Sequence, residues 1–105
     1  MVRWYAETFG EGNYYLELQD HAHQWDEQRV INEAKIELSK KTGVPLVVTA
    51  DSHYSAHGDR EAHEILLCVQ TGKTMGDANR MTMDMDLFVT GPDDVKSRWA
   101  HLQEV

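Results

Sequence analysis

A chain of 105 residues, 41 % apolar and 27 % charged, fits one domain with a modest core. Its 18 acidic residues against 10 basic ones, a formal net charge of −8, exclude a free-standing basic nucleic-acid binder but allow an acidic piece of a larger nucleic-acid enzyme. The single cysteine excludes an internal disulfide and no apolar run reaches the roughly 18 residues of a membrane span, so a reducing, cytoplasmic setting is expected.

The chain opens with "VRWYAETFG", which reads as the last turns of a helix closed by Gly10. "YYLELQ", residues 14 to 19, alternates and is rich in β-formers, so a strand is expected there. Glu17 alternates with Leu16 and Leu18 and faces away from them, either supporting a site or solvated at an edge. "DHAHQWD" follows, with His21 and His23 spaced like the His-x-His of many barrel metallohydrolases. A strand's alternation need not persist in so polar a segment, and a solvated loop is the expected reading. Residues 26 to 42 place Val30, Ile31, Ala34 and Leu38 on one helical stripe, with Ile36 to one side and Gly43 as the stop.

"VPLVVTA" is almost continuously apolar, as a strand covered on both faces would be. It ends in Asp51-Ser52-His53, and strand alternation turns Asp51 and His53 to the same side. Two readings stay open: a strand-to-loop turn in which Asp caps amides and His packs, or two ligands of a Zn²⁺ or Mn²⁺ site. A catalytic centre needs at least a third protein ligand. "DREAHEILLCVQTG" then predicts a helix with Ala62, Ile65, Leu66 and Val69 on its apolar stripe and Gly72 as C-cap. His63 sits one position beside that stripe and reads as a packing or capping group; Cys68 reads as a small core residue. "QTGKT" is not a phosphate-binding P-loop, because position 67 is Leu and a helix precedes it where a strand is required.

The methionine-rich stretch 75 to 86 has no clean period and reads as loop. "LFVTG" predicts a short strand, and Pro92 with Asp93 and Asp94 starts a last helix that continues through "SRWAHLQEV". The order α-β-α-β-α-β-α implies an α/β fold with a mainly parallel sheet and crossover helices. Ligands of such sheets gather at the carboxyl ends of the strands, where Asp51 and His53 lie.

Four blocks, "FGEGNYYLELQDH", "PLVVTADSHY", "EAHEILLCVQTGKT" and "DLFVTGPDDV", occur in the order seen in one family. On these, residues 1–105 resemble the C-terminal portion of the PHP (polymerase and histidinol phosphatase) domain of bacterial replicative DNA polymerases of the polymerase III alpha-subunit family. The resemblance implies part of a distorted (β/α)₇ barrel, truncated at both ends, whose strand ends hold divalent metals (Zn, Mn or Mg). It assigns the last two metal ligands to Asp51 and His53, and implies that the other ligands precede residue 1. His21-x-His23 is not the family's opening His-x-His, and "AHQW" departs from the shorter, glycine-containing loop often found there.

The activities implied are DNA-directed polymerisation by the whole parent protein and metal-assisted 3′–5′ phosphodiester hydrolysis, or a structural platform, in this domain. The piece alone, lacking palm carboxylates, is expected to be inactive and to bind divalent metal weakly or not at all. Implied partners are DNA, other replicase subunits and a separate proofreading exonuclease subunit. Open sheet edges make a homodimer of the piece the expected state. A stand-alone PHP-type phosphoesterase and a non-catalytic interaction module are the other readings, and "YYLELQDH" with "LLCVQTGKT" favour the polymerase branch.

Overall fold

The computed structural model describes residues 1–102, without the side chains of residues 22 and 23; residues 103–105, the end of the expected last helix, lie outside the described part. Helix α1, Val2–Phe9, ends at Gly10, whose φ of 87° favours glycine. Its Tyr5 and Phe9 stack on Tyr14, with ring centroids 5.5 and 6.3 Å apart, which anchors the helix to the approach of the first strand.

Strand β1, Leu16–Gln19, and strand β2, Leu46–Thr49, form a two-stranded parallel sheet in which Leu16 faces Leu46 and Gln19 faces Thr49. Leu16 and Leu18 point inward and Leu18 is fully buried, while Glu17 stays exposed. On that outer face Thr49 Oγ1 donates to a Glu17 carboxylate oxygen at 2.6 Å, a diagonal cross-strand pair.

Helix α2, Asp26–Thr42, makes the crossover between the strands. Asp26 and Glu27 at its start and Lys40 and Lys41 at its end suit the dipole, and Gly43 closes it in the left-handed region. The helix is held to β1 by polar groups. The buried Asn32 side-chain amide donates to the Gln19 carbonyl at 2.8 Å and accepts from the Gln19 N–H at 3.3 Å, while Gln28 Nε2 donates to the same Asn32 oxygen at 2.9 Å. Asn32 thus satisfies backbone groups of β1 that no further strand covers on that side among the described residues. The expected stripe is turned away: Val30, Ile31 and Ala34 are exposed and Leu38 is half-buried.

Helix α3, Arg60–Thr71, buries Leu67 and Cys68 and ends at Gly72, again with positive φ. Its expected stripe, Ala62, Ile65, Leu66 and Val69, is likewise exposed. Helical spacing correctly marks one apolar face on each helix; the face packed inward is set by Asn32 on α2 and Leu67 and Cys68 on α3. Nor is β2 covered on both faces, since Val47 is exposed.

The expected third strand is replaced by a single parallel bridge from Phe88 to Tyr54. The reason is where it docks: β2 leaves the ladder at Ala50, so residues 87–89 meet irregular backbone beyond the strand's end. Helix α4, Pro92–Arg98, has Pro at its first turn, and Asp94 accepts the Gly91 N–H at 3.3 Å. The observed arrangement is therefore α/β with a two-stranded parallel sheet and four α-helices among the described residues. None of these helices is long and apolar enough to cross a membrane.

Candidate functional site

The site is built on the backbone that follows β2. His53 N–H donates to the Leu87 carbonyl at 2.7 Å, Val89 N–H donates to the Tyr54 carbonyl at 3.0 Å, and Leu87 N–H donates to the Tyr54 hydroxyl at 2.9 Å. These bonds hold the segment against residues 87–89 and fix where Asp51 and His53 project.

The two residues come together: His53 Nδ1 lies 3.8 Å from Asp51 Oδ1. Nδ1 also lies 2.7 Å from the Asp51 carbonyl oxygen, a contact that only an Nδ1–H donor satisfies. That hydrogen bond leaves the Nε2 lone pair free, the orientation in which a backbone carbonyl prepares a histidine to ligate a metal. The carboxylate is about half exposed (52 %) and the imidazole less so (31 %), so both are reachable from solvent. An oxygen and a nitrogen donor suit Zn²⁺ or Mn²⁺. Among the described residues, however, no group of three or more His, Cys, Asp and Glu side chains converges to hold a metal.

His63 on α3 packs edge-on against the His53 ring at 5.5 Å and against Tyr54 at 5.3 Å. Cys68 is buried, with Met75 sulfur 3.7 Å from its own, as a small core residue would be. Glu17 lies on the outer sheet face with Thr49.

"DHAHQWD" departs from the solvated loop expected of it. Asp20–His23 form a 3₁₀ turn directly after β1, and both Asp20 and His21 are buried; the His23 side chain lies outside the described part. Asp20 receives Arg98 from α4, which donates Nε to both carboxylate oxygens at 3.1 Å and Nη2 to Oδ2, and Trp99 Nε1 donates to Oδ1 at 2.5 Å. Donating to the Asp20 carboxylate holds the Arg98 guanidinium more firmly protonated than usual, against the opposing effect of burial. His21 stacks on Trp25 with ring centroids 6.0 Å apart. Burial thus follows from partners supplied 78 residues along the chain, which local composition does not encode.

A cavity of about 190 Å³ opens at these strand ends, lined by Asp51 together with Asp20, His21, Thr90 and Arg98. His53 does not line it, because its ring is turned to His63. Arg98 and Thr90 gave no signal in sequence as site residues.

The chain is 43 % identical over 87 residues, 83 % of its length, to DNA polymerase III subunit alpha of Treponema pallidum. It is 39 % identical over 99 residues, 93 % of its length, to the same subunit of Mycobacterium tuberculosis, and 40 % over 85 residues, 81 % of its length, to that of Deinococcus radiodurans. The chain resembles one segment of DNA polymerase III subunit alpha. It spans only 7, 8 and 6 % of the length of these three relatives. No protein-family model matches it.

Proposed function

We propose that this chain is part of the PHP domain of a bacterial replicative DNA polymerase III alpha subunit, and that Asp51 and His53 contribute two ligands to a divalent-metal centre at its strand ends. The supporting observation is the His53 Nδ1–H bond to the Asp51 carbonyl, made with Nδ1 3.8 Å from the Asp51 carboxylate, which leaves Nε2 as the ring nitrogen able to ligate. Relatives named DNA polymerase III subunit alpha, matched over most of the chain, supply the parent. When bound, the metal would activate water and stabilise the leaving oxygen in phosphodiester hydrolysis, a 3′–5′ proofreading reaction. What the chain itself supplies is position: the bonds from His53 and Leu87 hold the segment, and the Asp51 carbonyl fixes the imidazole tautomer. Polymerisation belongs to the parent's palm carboxylates, with DNA and the other replicase subunits as partners in the cytoplasm.

The test is made in the whole parent polymerase carrying Asp51→Ala or His53→Ala. Expected is a loss of bound Zn or Mn by elemental analysis and of 3′–5′ exonuclease activity, with primer extension retained. Unchanged metal content in both variants would overturn the assignment. The 105-residue chain alone is expected to show no primer extension, no nuclease activity, and micromolar or weaker Zn²⁺ binding by calorimetry, because two ligands fall short of a complete shell. A second reading, a metal-free platform that docks a separate proofreading subunit, is supported by the His53 ring, which packs on His63 and does not line the cavity that Asp51 lines. Metal-free parent protein with full replication activity would select it.

A further inference from the structure

His63 has no part in the chemistry proposed above, yet it touches the histidine assigned to it. Its ring meets the His53 ring edge-on, with centroids 5.5 Å apart and planes at 63°, and lies 5.3 Å from the Tyr54 ring. The contact has a firm base on both sides. His63 stands one helical turn before Leu67, on the face by which α3 is buried. Tyr54 is tied through its hydroxyl to the Leu87 N–H at 2.9 Å.

The orientation that this packing selects differs from the one that two shared ligands need. The ring nitrogen found 3.8 Å from the Asp51 carboxylate is Nδ1, which already donates to the Asp51 carbonyl at 2.7 Å. Nε2 is the nitrogen left to ligate. Asp51 lines the strand-end opening, and His53 does not. Carboxylate and imidazole therefore face different spaces although they are two residues apart. Both can serve one ion only if the imidazole turns from His63 toward the opening. Neither side chain is sealed in, at 52 % and 31 % exposure, so the turn is sterically open. An ion that binds only the turned orientation loses affinity in proportion to the fraction held against His63.

We propose that His63 is a latch on the metal site: its ring holds His53 in a metal-free orientation, and binding beside Asp51 requires that contact to open. The latch rests on the assignment of Asp51 and His53 as metal ligands. It also connects the two readings given above, since the closed latch is the metal-free platform and the open latch the metal-competent site.

The test is Zn²⁺ titration of the full 105-residue chain at one fixed pH, followed by calorimetry and by NMR of the histidine ring protons. The metal-free chain should show a through-space signal between the His53 and His63 rings, and that signal should fade as Zn²⁺ saturates. His63→Ala removes the latch and should bind Zn²⁺ about three- to tenfold more tightly, the range that one aromatic contact represents. His63→Phe keeps a ring against His53 and should bind as the unmodified chain does. If His63 were itself a ligand, both variants would bind more weakly; if it only packed, His63→Ala would bind unchanged. Either result overturns the latch. Asp51→Ala separates this outcome from failure of the metal assignment. Without Asp51-dependent binding the site and the latch both fall, whereas Asp51-dependent binding that is no tighter in His63→Ala removes the latch alone. Should His63→Ala fail to fold, the unmodified chain decides: a His53–His63 signal that persists at saturating Zn²⁺ overturns the proposal.

Discussion

Asp20 shows how much one residue carries when a strand ends on it. Its carboxylate takes Arg98 and the Trp99 indole, and those bonds tie α4 to the end of β1. Asp20→Ala would leave the guanidinium and the indole N–H without their acceptor. Because Arg98 remains about a third exposed (31 %), water recovers part of the loss, and the expected cost is about 2–3 kcal/mol, below that of a fully buried pair. Urea unfolding would read this, and a change within error would mean that α4 is held by something else. Asp77 offers a pH-dependent counterpart. Its carboxyl is held below the usual range, first by the Thr74 N–H at 2.6 Å and then by the Thr74 hydroxyl at 2.9 Å. The ionised form is the bonded one, so its contribution is present above the unfolded-state value and is lost as pH falls through the lower folded-state value. The Thr74 amide shift should therefore titrate with a midpoint below that of an ordinary aspartate. A midpoint at the ordinary value would show that the turn does not hold the carboxylate in solution.

At the scale of elements, the helices separate two things that periodicity merges: which face is apolar and which face is buried. On α3, Leu66 is 65 % exposed while its neighbour Leu67 is buried. Leu66→Ala should then change stability by no more than about 0.5 kcal/mol, as for other surface positions. Leu67→Ala should cost about 2–3 kcal/mol, the low end for a buried leucine because its surroundings are thin. Chemical denaturation of both variants decides it, and a reversed order would restore the stripe as the core face. Element positions were legible because Gly10, Gly43, Gly72 and Pro92 punctuate the chain and act where their backbone chemistry says they must. The Asp-x-His pattern after an apolar run was legible, but β2 ends at Thr49, so Asp51 and His53 are placed by the bonds between residues 53–54 and 87–89 rather than by strand alternation. The Asn32 clamp on Gln19 was not legible, since a polar residue on a helix reads as solvated until its backbone partner is known. "LFVTG" looked like a strand in composition, but a ladder also needs a neighbour in register, and β2 ends too early to provide one.

For the molecule as a whole, the balance of surface and core is unusual. A compact chain of this length would have a radius of gyration near 13 Å, whereas the observed value is 17.2 Å. Its accessible surface of 7426 Å² exceeds the roughly 6000 Å² expected of a folded monomer of this mass. The excess is of the order of a standard protein–protein interface. Much of what is open is apolar, including Val30 and Ile31 on α2, Ile65, Leu66 and Val69 on α3, and Val47 on the sheet. Apolar area of this kind is drawn out of water with roughly 25 cal/mol per Å², so even partial coverage rivals the whole stability of a small domain. Opposing it is the net charge of −8, a repulsion that weakens as salt shortens the screening length from about 30 Å at 0.01 M to 8 Å near physiological strength. The isolated chain should therefore self-associate, with a symmetric pair as the simplest closed form, and the association should strengthen as salt is raised. Sedimentation equilibrium over a range of protein and salt concentrations reads both effects at once. A folded species that stays monomeric at millimolar concentration and high salt would show that these faces do not pair with one another, and that what covers them is a different surface.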